Sequence, residues 1–123
     1  MPNPPDDPRI LITVTGHPSK GPGFPSNGQY HSSSDKVKRD GTITLDPGTT
    51  TVEFDRGTQG WCFEYPWITF SPDPKSFTVD TASCNADKVV FNDDDPGGPG
   101  NLEYQYTLHT DRGTFDPEII NKG

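Results

Sequence analysis

Apolar residues along this chain fall in short runs that alternate with polar ones, and Pro, Gly, Asp and Asn separate the runs. Such a pattern predicts short strands punctuated by turns. Residues 10–15 open the series: Ile10, Ile12 and Val14 share one face, and Leu11, Thr13 and Thr15 the other. A short strand is expected at 28–31. Residues 42–45 and 49–55 both alternate, and the turn residues Asp46, Pro47 and Gly48 between them predict a hairpin with Val52 and Phe54 pointing inward. The most aromatic stretch, 61–70, is interrupted by Pro66, which predicts two strand pieces or a bulged edge strand. Further strands are expected at 77–79, 84–91, 102–109 and 113–120.

Seven to eight short strands without any long stretch of helical period predict an all-β fold, an immunoglobulin-like antiparallel β-sandwich or a small barrel. The antibody-domain arrangement of a Trp between two cysteines does not fit. Trp61 directly precedes Cys62, Trp67 lies close behind it, and Cys84 follows Cys62 by only 22 positions.

At 123 residues the chain has the length of one domain. Residues 1–9 read as a Pro-rich, acidic N-terminal arm, because prolines lack the donors that a strand ladder needs, and 10–123 as a single sandwich domain. The apolar fraction of 28% is low, with 14 Pro and 13 Gly, yet its clustering into runs favours order over disorder. A net charge of −8 opposes phosphate backbones and anionic lipid, so neither nucleic acid nor membrane is expected as a partner. No run approaches the roughly 20 apolar residues of a spanning helix, and the first residues have neither a basic nor an apolar signal region. The chain is expected to stay in the cytoplasm, unless Cys62 and Cys84 form a disulfide and mark an oxidising compartment. Two buried thiols are the other reading of that pair.

Two segments are candidates for binding. In the loop 92–103, Asp93, Asp94 and Asp95 stand side by side and would repel one another unless solvated or bridged by a cation, for which calcium is the natural choice. Aligned to an EF-hand loop, Asn92, Asp94, Gly97 and Glu103 take the first, third, sixth and twelfth places, but Pro96 at the fifth offers no side-chain ligand. The candidate metal ligands are therefore Asp93, Asp94, Asp95 and Glu103, set against a plain solvated turn. Trp61, Tyr65 and Trp67 are the candidate ligand-binding aromatics, since rings exposed on a sheet can stack on sugars or fill a partner's pocket. Core packing is the competing use of the same rings.

Catalytic chemistry finds no comparable foothold. His17, His31 and His109 lie far apart, no Gly-x-Ser-x-Gly elbow occurs, and Cys62 between Trp61 and Phe63 reads as core rather than as an activated thiolate. Glu53, Glu64, Glu103 and Glu118 all fall in expected strands, which leaves a carboxylate pair open.

The alternating strand Tyr104, Gln105, Tyr106, Thr107, Leu108, the closing run from Phe115 through Asp116, Pro117, Glu118 and Ile119 to Lys122, and the opening strand at 10–15 resemble the DP-EP family of small bacterial proteins. That resemblance spans about 40 of the 123 residues, and its motifs are short. It implies an immunoglobulin-like fold and no assigned activity. The expectation is a non-catalytic structural or interaction module that binds a protein partner or copies of itself, the alternative being a carbohydrate- or calcium-binding sandwich.

Overall fold

A computed structural model of the chain describes residues 9–19, 27–45, 51–57, 60–72, 76–94 and 102–122. Nine strands are found among them: β1 (Arg9–His17), β2 (Asn27–His31), β3 (Ile43–Leu45), β4 (Thr51–Arg56), β5 (Phe63–Ser71), β6 (Phe77–Val79), β7 (Lys88–Asp93), β8 (Leu102–Thr110) and β9 (Gly113–Lys122). They form a five-stranded sheet in the order β2-β1-β4-β7-β6 and a four-stranded sheet in the order β3-β9-β8-β5. The fold is an all-β sandwich. Of the arm expected at 1–9, residues 1–8 lie outside the described residues, and Arg9 belongs to β1.

Both sheets are mixed rather than purely antiparallel, because β1 runs parallel to β4 and β3 parallel to β9. These pairings overturn the hairpin expected across 42–55. Its two strands exist, but they lie in different sheets: β3 is the edge beside β9, while β4 sits between β1 and β7. Local turn chemistry predicts a nearby reversal, but burial decides the partners. Val52 and Phe54 are both buried on β4, and β1 and β7 pair with it along nearly its whole length, which encloses that apolar face on both sides.

The inward faces interlock in one core. Ile10, Ile12 and Val14 of β1, Val52 and Phe54 of β4, and Val89 and Phe91 of β7 face Ile68, Tyr106, Leu108, Phe115 and Ile120 of the second sheet. Phe54 packs against Phe91 and Tyr106, with ring centroids 6.3 and 5.4 Å apart. The Tyr106 hydroxyl donates to the Gly41 carbonyl at 2.6 Å, which satisfies a polar group inside the core, and its burial pushes the phenol well above its ordinary pKa. At the end of β1, Gly16 has φ 102°, and a Cβ there would stand 1.8 Å from the Asn27 carbonyl oxygen. Only glycine lets β1 and β2 close at that point.

Candidate binding cleft

The residues that alternate with the core positions of the five-stranded sheet make its outer face. Strand register sets them in rows. Thr13 lies between His31 and Asp55, and Asp55 pairs Lys88. Glu53 lies between Leu11 and Val90 in the next row, and Arg9, Thr51, Asn92 and Thr78 make the third. The segment between β6 and β7 folds back along the sheet: Asp80 N–H donates to the Val90 carbonyl at 2.9 Å, and Val90 N–H donates to Cys84 Sγ at 3.3 Å. That return covers Val90 and turns the rows into a cleft of about 220 Å3, lined by Arg9, Thr51, Glu53, Asp80, Ser83, Lys88, Val90 and Asn92.

Glu53 is the centre of this cleft. Its side chain is only 13% exposed, with Arg9 Nη1 3.9 Å from one carboxylate oxygen and Lys88 Nζ 3.9 Å from the other. Both distances exceed hydrogen-bond reach, so the cations act on Glu53 as nearby charges. At the margin, the Asp55 carboxyl is pushed up to about 6 by burial first and then by the neighbouring Glu53 carboxyl and its negative charge, while Lys88 pulls the other way. The uncharged members are mutually engaged: Thr51 Oγ1 donates to Asn92 Oδ1 at 3.0 Å, and Ser83 Oγ donates to Asp80 Oδ2 at 2.8 Å. The cleft therefore carries charges of both signs over one apolar side chain, Val90.

The aromatic candidates do not assemble into a platform. Trp61 is 2% exposed; its indole N–H donates to the Gly16 carbonyl at 2.9 Å, and its ring meets Phe63 and Phe115 edge-on. It is a core residue, out of reach of a ligand in solvent. Tyr65 is 76% exposed, and Trp67 is half-buried against the core. Between Phe63 and Ile68 the pairing of β5 with β8 slips from Thr110 to Leu108, so β5 is a bulged edge strand, one of the two forms that Pro66 predicts, rather than two strand pieces. Trp67 sits in the bulge at φ 71°, a left-handed conformation uncommon for a large side chain. The bulge breaks the alternation that would have put Tyr65 on the face of Trp61 and Phe63.

The acidic candidates are also split. Asp93 is 4% exposed at the end of β7 opposite Phe77, and Asp94 accepts a hydrogen bond from the Thr78 hydroxyl. Glu103 is exposed on β8 opposite Asn121, in the other sheet. Asp95 lies outside the described residues, among which no group of three His, Cys, Asp or Glu side chains could hold a metal ion.

The proposed disulfide is corrected: Cys62 and Cys84 are both free. Cys62 is held at the β8–β9 turn, where its N–H donates to Asp111 Oδ1 at 2.9 Å, whereas the Cys84 sulfur is committed to the Val90 backbone and burial pushes its thiol up. The histidines are spread over both sheets; His31 bonds Thr15 and His109 bonds Thr69. Among the described residues no helix is long and apolar enough to cross a membrane.

Sequence reasoning passed over Asp55, Arg9 and Lys88. The signal for Asp55 was present, since Glu53 and Asp55 alternate with Val52 and Phe54 and must share the face opposite the core. Arg9 and Lys88 carry no such mark, because register alone brings them beside Glu53. No protein-family model matches this chain, nor does any curated protein or solved structure.

Proposed function

We propose that this chain is a non-catalytic binding module that takes a small polar ligand on the outer face of its five-stranded sheet. The observation that carries the reading is the cleft over β1, β4 and β7, in which a mostly buried carboxylate stands between two cations without direct hydrogen bonds to either. A ligand that brings its own charges can take over from such partners without leaving a buried charge uncompensated. The polar groups favour recognition over chemistry: among the described lining residues the hydroxyls of Thr51 and Ser83 donate to an amide and a carboxylate, and none is a histidine that could take a proton.

A heteronuclear NMR screen of the full chain against small polar compounds tests this. Shifts confined to the amides of residues 51–55, 80–84 and 88–92 are expected. Shifts elsewhere, or none, would remove the cleft as the binding site.

A second reading, an interaction module for a protein partner or for copies of itself, is favoured by the β5 edge, where the bulge projects the exposed Tyr65. Exposed ring area at an edge suits a protein interface only if solution mass rises with concentration and falls again in Tyr65→Ser. Constant monomer mass in both proteins sinks it. Calcium at 92–103 is a reading carried by sequence alone, since residues 95–101 lie outside the described structure. The DP-EP resemblance is compatible with either reading, because the segments that carry it form β1, β8 and β9, which are mainly framework strands.

A further inference from the structure

The order of charges along the cleft narrows the ligand. Lys88 stands in the row of Asp55 and Arg9 in the row of Thr51, four residues apart on β4, or about 13 Å at the rise of a strand. Both side chains lean toward Glu53 between them, each approaching a different oxygen. Asp80 closes the flank, with Ser83 on its carboxylate.

A ligand with only a positive charge meets Arg9 and Lys88 beside the carboxylate it seeks. One with only a negative charge meets Glu53 and Asp80 beside the cations. Either pairing gains one contact and adds a repulsion of similar size, because like and unlike charges at the same separation interact equally strongly with opposite sign. A neutral ligand leaves the alternation unused. We propose, resting on the cleft reading above, that the ligand is a small zwitterion of the α-amino acid class, its ammonium on Glu53 and its carboxylate on Arg9 or Lys88. Each ligand charge then takes a charge-assisted hydrogen bond that the 3.9 Å separations leave unmade within this trio.

The rest of the lining limits the side chain. Among the described lining residues Val90 is the one apolar member, while Thr51, Asn92 and Ser83 offer hydroxyl and amide groups, so a short polar side chain fits and a large apolar one does not. A volume of about 220 Å3 admits a free amino acid rather than a folded peptide.

The test is an NMR titration of the full chain with L-serine, L-asparagine and L-glutamine, each in four forms: the free zwitterion, the N-acetyl acid, the carboxamide and the N-acetyl amide. At least one free amino acid is expected to shift the amides of Glu53, Val90 and Asn92 with millimolar affinity, at least tenfold tighter than its three derivatives. Arg9→Ala and Lys88→Ala should together weaken that binding at least tenfold while leaving the amide spectrum away from the cleft unchanged. If the derivatives bind as tightly as the zwitterion, the cleft is a binding site but its ligand class is overturned. If none of the twelve compounds shifts these amides while another polar compound does, the zwitterion is again overturned. No shift from any compound removes the cleft reading and this inference together.

Discussion

The aromatic β5 segment and the polar face of β4 make opposite use of their residues. Over 61–67 the conspicuous side chains are divided: Trp61 and Phe63 fill the core, Tyr65 projects from the bulge, and Trp67 lies half-covered in a left-handed turn of backbone. Over 51–56 nothing in the composition stands out, yet strict alternation buries Val52 and Phe54 and brings Thr51, Glu53 and Asp55 to one outer face, where β1 and β7 supply a cation each. In a chain this poor in apolar residues the largest rings are needed inside. Polar groups on a central strand, flanked on both sides, are the ones that the fold can gather into a site.

Substitutions sharpen this contrast, beginning with the largest effect. Trp61→Ala should lower unfolding free energy by about 3–5 kcal/mol in urea titrations, through the cavity and the lost bond to Gly16. A change below about 1 kcal/mol would place Trp61 outside the core and reopen the aromatic platform. Tyr106→Phe, which keeps the ring and strands the Gly41 carbonyl, should cost about 1–3 kcal/mol by the same assay. Equal stability of the two proteins would show that the hydroxyl contributes nothing to holding the loop at Gly41 against β8.

Smaller effects belong to the cleft. The Asp55 carboxyl is raised from an ordinary 3.8 to about 6, so between those values the folded state holds more proton than the unfolded state. Stability must then fall as pH rises from about 4 to about 6, and level off above. Asp55→Asn should abolish that slope and stabilise the protein at pH 7 by about 1 kcal/mol, an amount already reduced for partial exposure. Parallel pH profiles for the two proteins would show that Asp55 does not carry the slope. His109 acts in the other direction: burial lowers its pKa, so the stability held by its neutral form is lost as pH falls below 6.5. The two contributions are separated by repeating the profile in His109→Gln. Least of all, Tyr65→Ser should change stability by no more than about 0.5 kcal/mol, and a larger loss would mean that the exposed ring supports the bulge.

Much of the fold was legible in the residues themselves. Period-two alternation located β1, β4 and β8 and identified Val52 and Phe54 as inward, because alternation is a local consequence of the pleat. Pro66 marked the edge position of β5, since a residue without an N–H is poorly placed between two neighbours. The failures have non-local causes. Turn residues at 46–48 said nothing about which strand would lie beside β4, and the spacing of Cys62 and Cys84 said nothing about where their sulfurs would point.

An all-β chain of short strands, with one polar and one apolar face to β4 and its two carboxylates on the polar side, was determined by the order of residues alone. Which strands became neighbours, and hence that Arg9 and Lys88 flank Glu53, was decided by the tertiary structure. Side-chain direction along a strand follows from backbone geometry that each residue carries with it. The partner across a sheet is chosen by competition among all the strands to bury their apolar faces, and that choice exists only once the two sheets close on a common core.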